Sequence, residues 1–117
     1  MAENHHIDYV ELPARDLDLV RAFYRDVFGW AFEDYGPDYT AFSHSGLQGG
    51  FFRAEQCSRT DNGAALVVLY ATDLEQTQAR VAGQGGTIVK PIFTFPGGRR
   101  FQFLDPVGNE LAVWTHA

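Results

Sequence analysis

Apolar and polar positions alternate through residues 7–14, with Val10 and Leu12 on one face and Tyr9 and Glu11 on the other. That period of two predicts a strand whose faces meet different surroundings. The period then lengthens. Val20, Phe23, Tyr24 and Val27 recur at i, i+3, i+4 and i+7, the stripe of a helix laid against an apolar surface. Pro13 and Asp16 mark the change of state, because an aspartate at the N-cap accepts an amide that the first turn leaves unpaired. Asp18 adds negative charge where the helix dipole favours it. Gly29 stops the helix where a left-handed residue is wanted. Strands are expected at 31–35, 39–43 and 50–54, with a GPD turn at 36–38 and a loop or strand edge at 46–50.

The pattern then repeats. Residues 65–71 form a nearly continuous apolar strand, Asp73 caps a helix running to about residue 82, and GQGG breaks the chain. Asp16 and Asp73 stand 57 positions apart (73 − 16), as do Gly29 and Gly86 (86 − 29). The second helix has a thinner stripe of Leu74, Thr77 and Val81. Strands are expected at 87–93, 101–104 and 110–115, separated by a hairpin turn at 95–100 and the turn string DPVGN. Each unit is therefore β-α-β-β-β, which calls for a mixed sheet with its helix on one face. The polar stretch 55–63 is the expected junction.

A chain of 117 residues can bury one core, not two independent ones. The two units should share it, or extend it across a dimer interface. No apolar run approaches a membrane span, and the N-terminus lacks a secretory signal pattern. The single Cys57 excludes an internal disulfide and suits a reducing cytoplasm; in its polar setting it reads as a loop thiol. A net charge of −6 without a Lys/Arg cluster argues against nucleic acid. Ten Phe, five Tyr and two Trp imply a large aromatic core, an aromatic-lined pocket, or both.

The order of elements, with RDLDLVRAFYRDVFGW at 15–30 and FQFLDPVGNELAVW at 101–114, resembles the vicinal oxygen chelate superfamily. This is the glyoxalase, bleomycin-resistance and extradiol-dioxygenase group. The resemblance spans nearly the whole chain and implies one α+β domain over 1–117 built from two βαβββ modules, about 7–54 and 64–116. Its mixed, curved sheets would cup cavities on their concave faces and carry helices on the convex ones. The resemblance also implies a homodimer that completes the cavities.

Members of this group that use metal hold a divalent ion with histidine, glutamine and glutamate side chains inside the cup. The resemblance puts the histidines seven residues before the capping aspartates, where this chain has Tyr9 and Leu66. It puts the closing glutamate three residues after Asn109, where this chain has Ala112. In the first unit Gln48 is the nearest plausible ligand. The usual metal site is therefore not expected, and no other cofactor is implied. A displaced site would have to draw on Glu11, Glu110 and His44. Against that, Glu110 at a strand end and His44 on a strand or loop are expected to be solvated. Glu11, on a strand with buried neighbours, must be paired, protonated or in a wet cavity. Its alternatives are a salt bridge to Arg15, Arg53 or Arg100, or service as general base or ligand anchor.

Alternation places Tyr9, Tyr70 and Trp114 on the inner faces, with Phe42, Phe52, Phe101 and Phe103 of open facing. Arg99 and Arg100 are expected on the hairpin turn, solvated or catching an anionic group at a pocket mouth. The expected function is binding of a small organic molecule by Tyr9, Glu11, Tyr70 and Trp114, with Glu11 the one catalytic candidate. Two other readings stand beside it: a metal-dependent lyase, isomerase or dioxygenase with displaced ligands, and a non-catalytic partner-binding or regulatory domain.

Overall fold

A computed structural model describes residues 2–117. Strand β1 (Tyr9–Ala14) leads into helix α1 (Leu17–Phe28), followed by β2 (Ala31–Asp34), β3 (Tyr39–Ser43) and β4 (Gln48–Arg53). A 3-10 turn at Thr60–Asn62 interrupts the connection to β5 (Val67–Tyr70). Helix α2 (Leu74–Gly83) and strands β6 (Thr87–Phe95), β7 (Gly98–Leu104) and β8 (Glu110–His116) complete the chain. The strands form two four-stranded sheets ordered β1-β4-β3-β2 and β5-β8-β7-β6. In each sheet the opening strand pairs in parallel with the closing one, and the remaining pairs are antiparallel. The chain is thus an α+β fold of two βαβββ units.

Both helices begin as the sequence leads one to expect. The Asp16 carboxylate accepts the Leu19 amide and that of Asp73 accepts the Gln76 amide. Gly29 closes α1 in the left-handed region at φ 76°. The second helix ends differently: its cap is Gln84, and the left-handed residue is Gly85 rather than Gly86. Strand β6 lies at a sheet edge and carries Pro91 within the register shift between Lys90 and Phe93, a place where a missing amide costs no ladder bond.

The stripe of α1 is the centre of the core. Val20, Phe23, Tyr24 and Val27 are buried together with Leu12, Phe42 and Phe51 of the first sheet and Phe101, Phe103 and Leu111 of the second. Tyr24 stacks on Trp30 at 4.6 Å between ring centroids, and Phe23 lies 5.9 Å from Phe103. One helix therefore serves both sheets, which is how a chain this short shares a single core. Phe42, Phe101 and Phe103 belong to that core; Phe52 points the other way and is exposed.

Polar ties join the halves as well. The Tyr24 hydroxyl donates to Asp105 Oδ2 at 2.8 Å, while Asp105 Oδ1 accepts the amides of Val107 and Asn109. Burial raises the Asp105 carboxyl above the usual aspartate value, opposed by hydrogen bonds from Tyr24, Asn109 and Val107. A carboxyl raised on folding contributes stability that is whole below the ordinary aspartate pKa and is lost as pH climbs through the raised value. Asp105→Asn keeps a side-chain oxygen for the two amides and removes the titration. The wild type should therefore lose ground to Asp105→Asn between pH about 4 and neutrality, at up to about 1.4 kcal/mol per pH unit. Urea midpoints of both proteins at the two ends of that range test this; a gap that does not change with pH refutes it.

Candidate ligand site

The face turned from the helices is left open in the first sheet, and in the second it is open toward Tyr70 and covered at Gln102, Glu110 and Ala112. On the first it carries Tyr9 and Glu11 of β1, Tyr39 and Ala41 of β3, and Gly50 and Phe52 of β4, as strand alternation requires. Three of these groups are linked. The Tyr39 hydroxyl donates to Glu11 Oε2 at 2.8 Å and lies 2.7 Å from the Tyr9 hydroxyl. Tyr39 has only one proton to give, so Tyr9 must be the donor in its bond to Tyr39. The chain runs Tyr9 to Tyr39 to Glu11. Burial, then the hydrogen bonds to Tyr9 and Glu11, hold the Tyr39 phenol far above the usual tyrosine range, so it stays protonated. What faces outward is consequently all acceptor: the free lone pairs of Tyr9 and the second carboxylate oxygen of Glu11.

The salt bridge expected for Glu11 is not formed. Arg15 donates to the Pro106 carbonyl, Arg53 pairs with Asp38, and Arg100 lies in the other sheet. A phenol 28 residues away takes the place of a guanidinium. Tyr39 was not among the residues singled out from sequence. Its signal was present, since Thr40 and Phe42 are buried and alternate with Tyr39 and Ala41. Gly50 supplies the room: a Cβ there would stand 2.1 Å from the Tyr39 hydroxyl.

The second open face carries Val68 and Tyr70 of β5, Arg100 and Gln102 of β7, and Glu110, Ala112 and Trp114 of β8. Tyr70 meets Trp114 edge to face at 5.3 Å and lies 5.2 Å from His116. Glu110 is not solvated at its strand end. It is only 9% exposed, because residues 57–60 fold back over β8. Its Oε1 accepts the Thr60 amide and hydroxyl, and its Oε2 accepts Gln102 Nε2 at 2.8 Å. Burial pushes this carboxyl up, but the bonds from Thr60 and Gln102, with Arg59 nearby, outweigh it and hold it below the usual glutamate value. The arginines differ from expectation too. The turn is confined to Pro96 and Gly97, so Arg99 and Arg100 lie in β7; Arg99 pairs with Glu75 and Arg100 is half-buried.

A cavity of about 720 Å³ opens between β1 and β5, lined by Val10, Leu12, Trp30, Phe42, Val67 and Leu69, with Tyr9 and Tyr70 on its two sides. Its size falls in the range of small-molecule pockets, roughly 300–1,000 Å³, and its walls are mainly apolar, as such pockets are. Tyr9 and Tyr70 therefore come together, whereas Glu11 and Trp114 stand outside this lining, on the two open faces. His44 borders the cavity from an exposed position just after β3, in the left-handed region at φ 60°.

The donor chemistry does not suit the divalent metal that metal-using members of the group hold. Tyr9, Leu66 and Ala112 stand at three of the expected ligand positions, and leucine and alanine offer no donor. The displaced set is not assembled either. Among the described residues no three of His, Cys, Asp and Glu are grouped to hold an ion, and Glu110 spends both oxygens on protein donors.

Comparisons with known proteins agree with this architecture. The family profile described as Glyoxalase/Bleomycin resistance protein/Dioxygenase superfamily matches residues 6–113. A glyoxalase/bleomycin resistance protein/dioxygenase family enzyme from Burkholderia phytofirmans PsJN superposes with a TM-score of 0.80 at 21% identity, over 94% of this chain and 98% of that one. Lactoylglutathione lyase from Agrobacterium tumefaciens gives 0.71 at 25% identity, over 97% and 96%. A genomically encoded fosfomycin resistance protein from Listeria monocytogenes gives 0.78 at 17% identity, over 100% and 96%. The Burkholderia and Listeria likenesses establish a shared fold. No curated protein sequence matches the chain.

Proposed function

The chain belongs to the Glyoxalase/Bleomycin resistance protein/Dioxygenase superfamily, and from that footing we propose that it binds a small organic molecule without the divalent metal used by many members. The ligand is largely apolar and carries a cationic or hydrogen-donating group. The observation that carries this is Tyr9, which lines the apolar cavity and also heads the acceptor chain to Tyr39 and Glu11. An apolar body in the cavity would place a donor group against acceptors that have no donor of their own left to offer. The carboxylate of Glu11 favours a positive charge there. If the bound molecule is turned over, Glu11 is also the group placed to take a proton.

The free edges of β1 and β5 support a homodimer. Each is bonded to a strand on one side only, and Val68, Tyr70 and Leu47 near them are exposed apolar residues. Unpaired edges of this kind invite a second chain.

Benzylamine and benzyl alcohol, nearly equal in shape, separate the two components of the ligand reading. Both should raise Tm, benzylamine the more. Val10→Phe and Val67→Phe, which fill the cavity from opposite walls, should abolish both responses. Glu11→Gln retains an acceptor for Tyr39 and should weaken benzylamine about tenfold while sparing benzyl alcohol. Equal preference in wild type and Glu11→Gln would remove Glu11 from the site. No response to either compound would reject the reading as a whole.

A further inference from the structure

We propose that the uncovered part of the second sheet's outer face holds a receptor for an organic anion, centred on Arg100 and sharing only Tyr70 with the cavity lining named above: a carboxylate or phosphate group attached to a flat apolar body. Arg100 sits mid-sheet, in register with Phe93 on one side and Trp114 on the other. Its only hydrogen bond among the described residues runs from Nη2 to Gln102 Oε1 at 3.1 Å, and its buried Nε has no partner. Among the described residues no carboxylate is paired with it. Glu75 is taken by Arg99, and both oxygens of Glu110 are filled by Thr60 and Gln102.

The guanidinium is also held in place. Glu110 as an acceptor fixes which way the Gln102 amide points, because Nε2 must face Glu110 and Oε1 must therefore face Arg100. Phe93 and Phe95 lie 5.4 and 5.8 Å from the guanidinium carbon, contacts that orient a cation without neutralising it. A half-buried, unpaired charge is costly, and a fixed one has its ordering entropy already spent. An anion accepting from the remaining Nη1 and Nη2 hydrogens would remove that cost through charge-assisted bonds. In a chain of net charge −6, general attraction does not deliver anions to this face, so affinity must come from the site.

The apolar part of the ligand is defined by what adjoins Arg100. Trp114 is half-buried and Tyr70 is 48% exposed, and their rings stand edge to face. Phe95 is 6.4 Å from Trp114 on the other side. A flat ring can lie on this surface with its charged group at Arg100.

Benzoate and phenyl phosphate probe the two forms of the anion, with benzyl alcohol as the uncharged control; binding to the intact protein is followed by NMR. Saturable shifts at the Trp114 indole and the Arg100 side chain are expected with at least one of the two anions. The tighter of them identifies carboxylate or phosphate as the preferred group. Arg100→Met should weaken that anion about tenfold or more, Arg100→Lys less, and benzyl alcohol should be unaffected by either. Anion binding unchanged in Arg100→Met overturns the proposal. Should Arg100→Met fail to fold, the wild type alone decides: no saturable shift at Trp114 and Arg100 with either anion overturns it equally. Because the cavity variants Val10→Phe and Val67→Phe leave this face intact, anion binding should survive in them whatever becomes of the amine site.

Discussion

Asn109→Ala is expected to cost about 2–6 kcal/mol, a large share of the roughly 5–15 kcal/mol that holds a domain folded. Asn109 is fully buried, and its amide joins three segments distant in sequence. Nδ2 donates to the Pro13 carbonyl of β1 at 2.7 Å, and Oδ1 accepts the Ser58 amide of the connecting segment at 2.8 Å. Its own backbone accepts the Asp105 amide and donates to the Asp105 carboxylate, closing the turn. Alanine leaves a carbonyl and an amide without partners in the interior, each at about 1–3 kcal/mol. Asn109→Asp should be no rescue, since a carboxylate cannot donate to Pro13. Urea midpoints at neutral pH give the measurement. A loss for Asn109→Ala below about 1 kcal/mol, ordinary for a point substitution, would show that water or a backbone shift satisfies both groups.

Asn109 also marks where the sequence stops being legible. That 105–109 turns the chain follows from its residues alone. That the same asparagine clamps β1 to the second unit depends on a contact across 96 positions, which no local pattern encodes. Glu110 shows the same boundary. By alternation its place on the open face could be read, but not its burial, because that requires residues 57–60 to fold back over β8. The run PGGRR looks like one turn because glycine serves two purposes. Gly97 has the positive φ of a turn residue, whereas Gly98 lies in β7, where a Cβ would stand 2.1 Å from the Thr115 carbonyl. Composition cannot separate a glycine that bends from one that lets strands approach. The period-two and period-3.6 patterns were legible because one buried face imposes them; they placed α1, β1 and β3 to within a residue or two. The open faces impose no such pattern. Tyr39 and Arg100 acquire their meaning from partners in neighbouring strands.

Two adjacent glycines should therefore respond in opposite ways to the same substitution. Gly49 pairs with Val10 in the parallel β1–β4 ladder, and a Cβ at Gly49 would lie 2.1 Å from the Val10 carbonyl oxygen and 2.6 Å from Phe42 Cζ. Neither neighbour can give way, one being backbone and the other a ring in the core. Gly49→Ala must open the ladder or displace Phe42, so its cost should reach or exceed the upper end of the roughly 1–3 kcal/mol usual for overpacking. At Gly50 the obstacle is the end of the Tyr39 side chain, which can swing into solvent. Gly50→Ala should change stability by less than about 1 kcal/mol, since alanine also restricts the unfolded chain. It should instead break the Tyr9–Tyr39–Glu11 chain and reduce the preference for benzylamine over benzyl alcohol, as Glu11→Gln does. Melting curves and the two ligand titrations on both variants distinguish these effects. If Gly50→Ala kept the amine preference unchanged, the phenol chain would have no part in binding, and Tyr9 would serve only as a wall of the cavity.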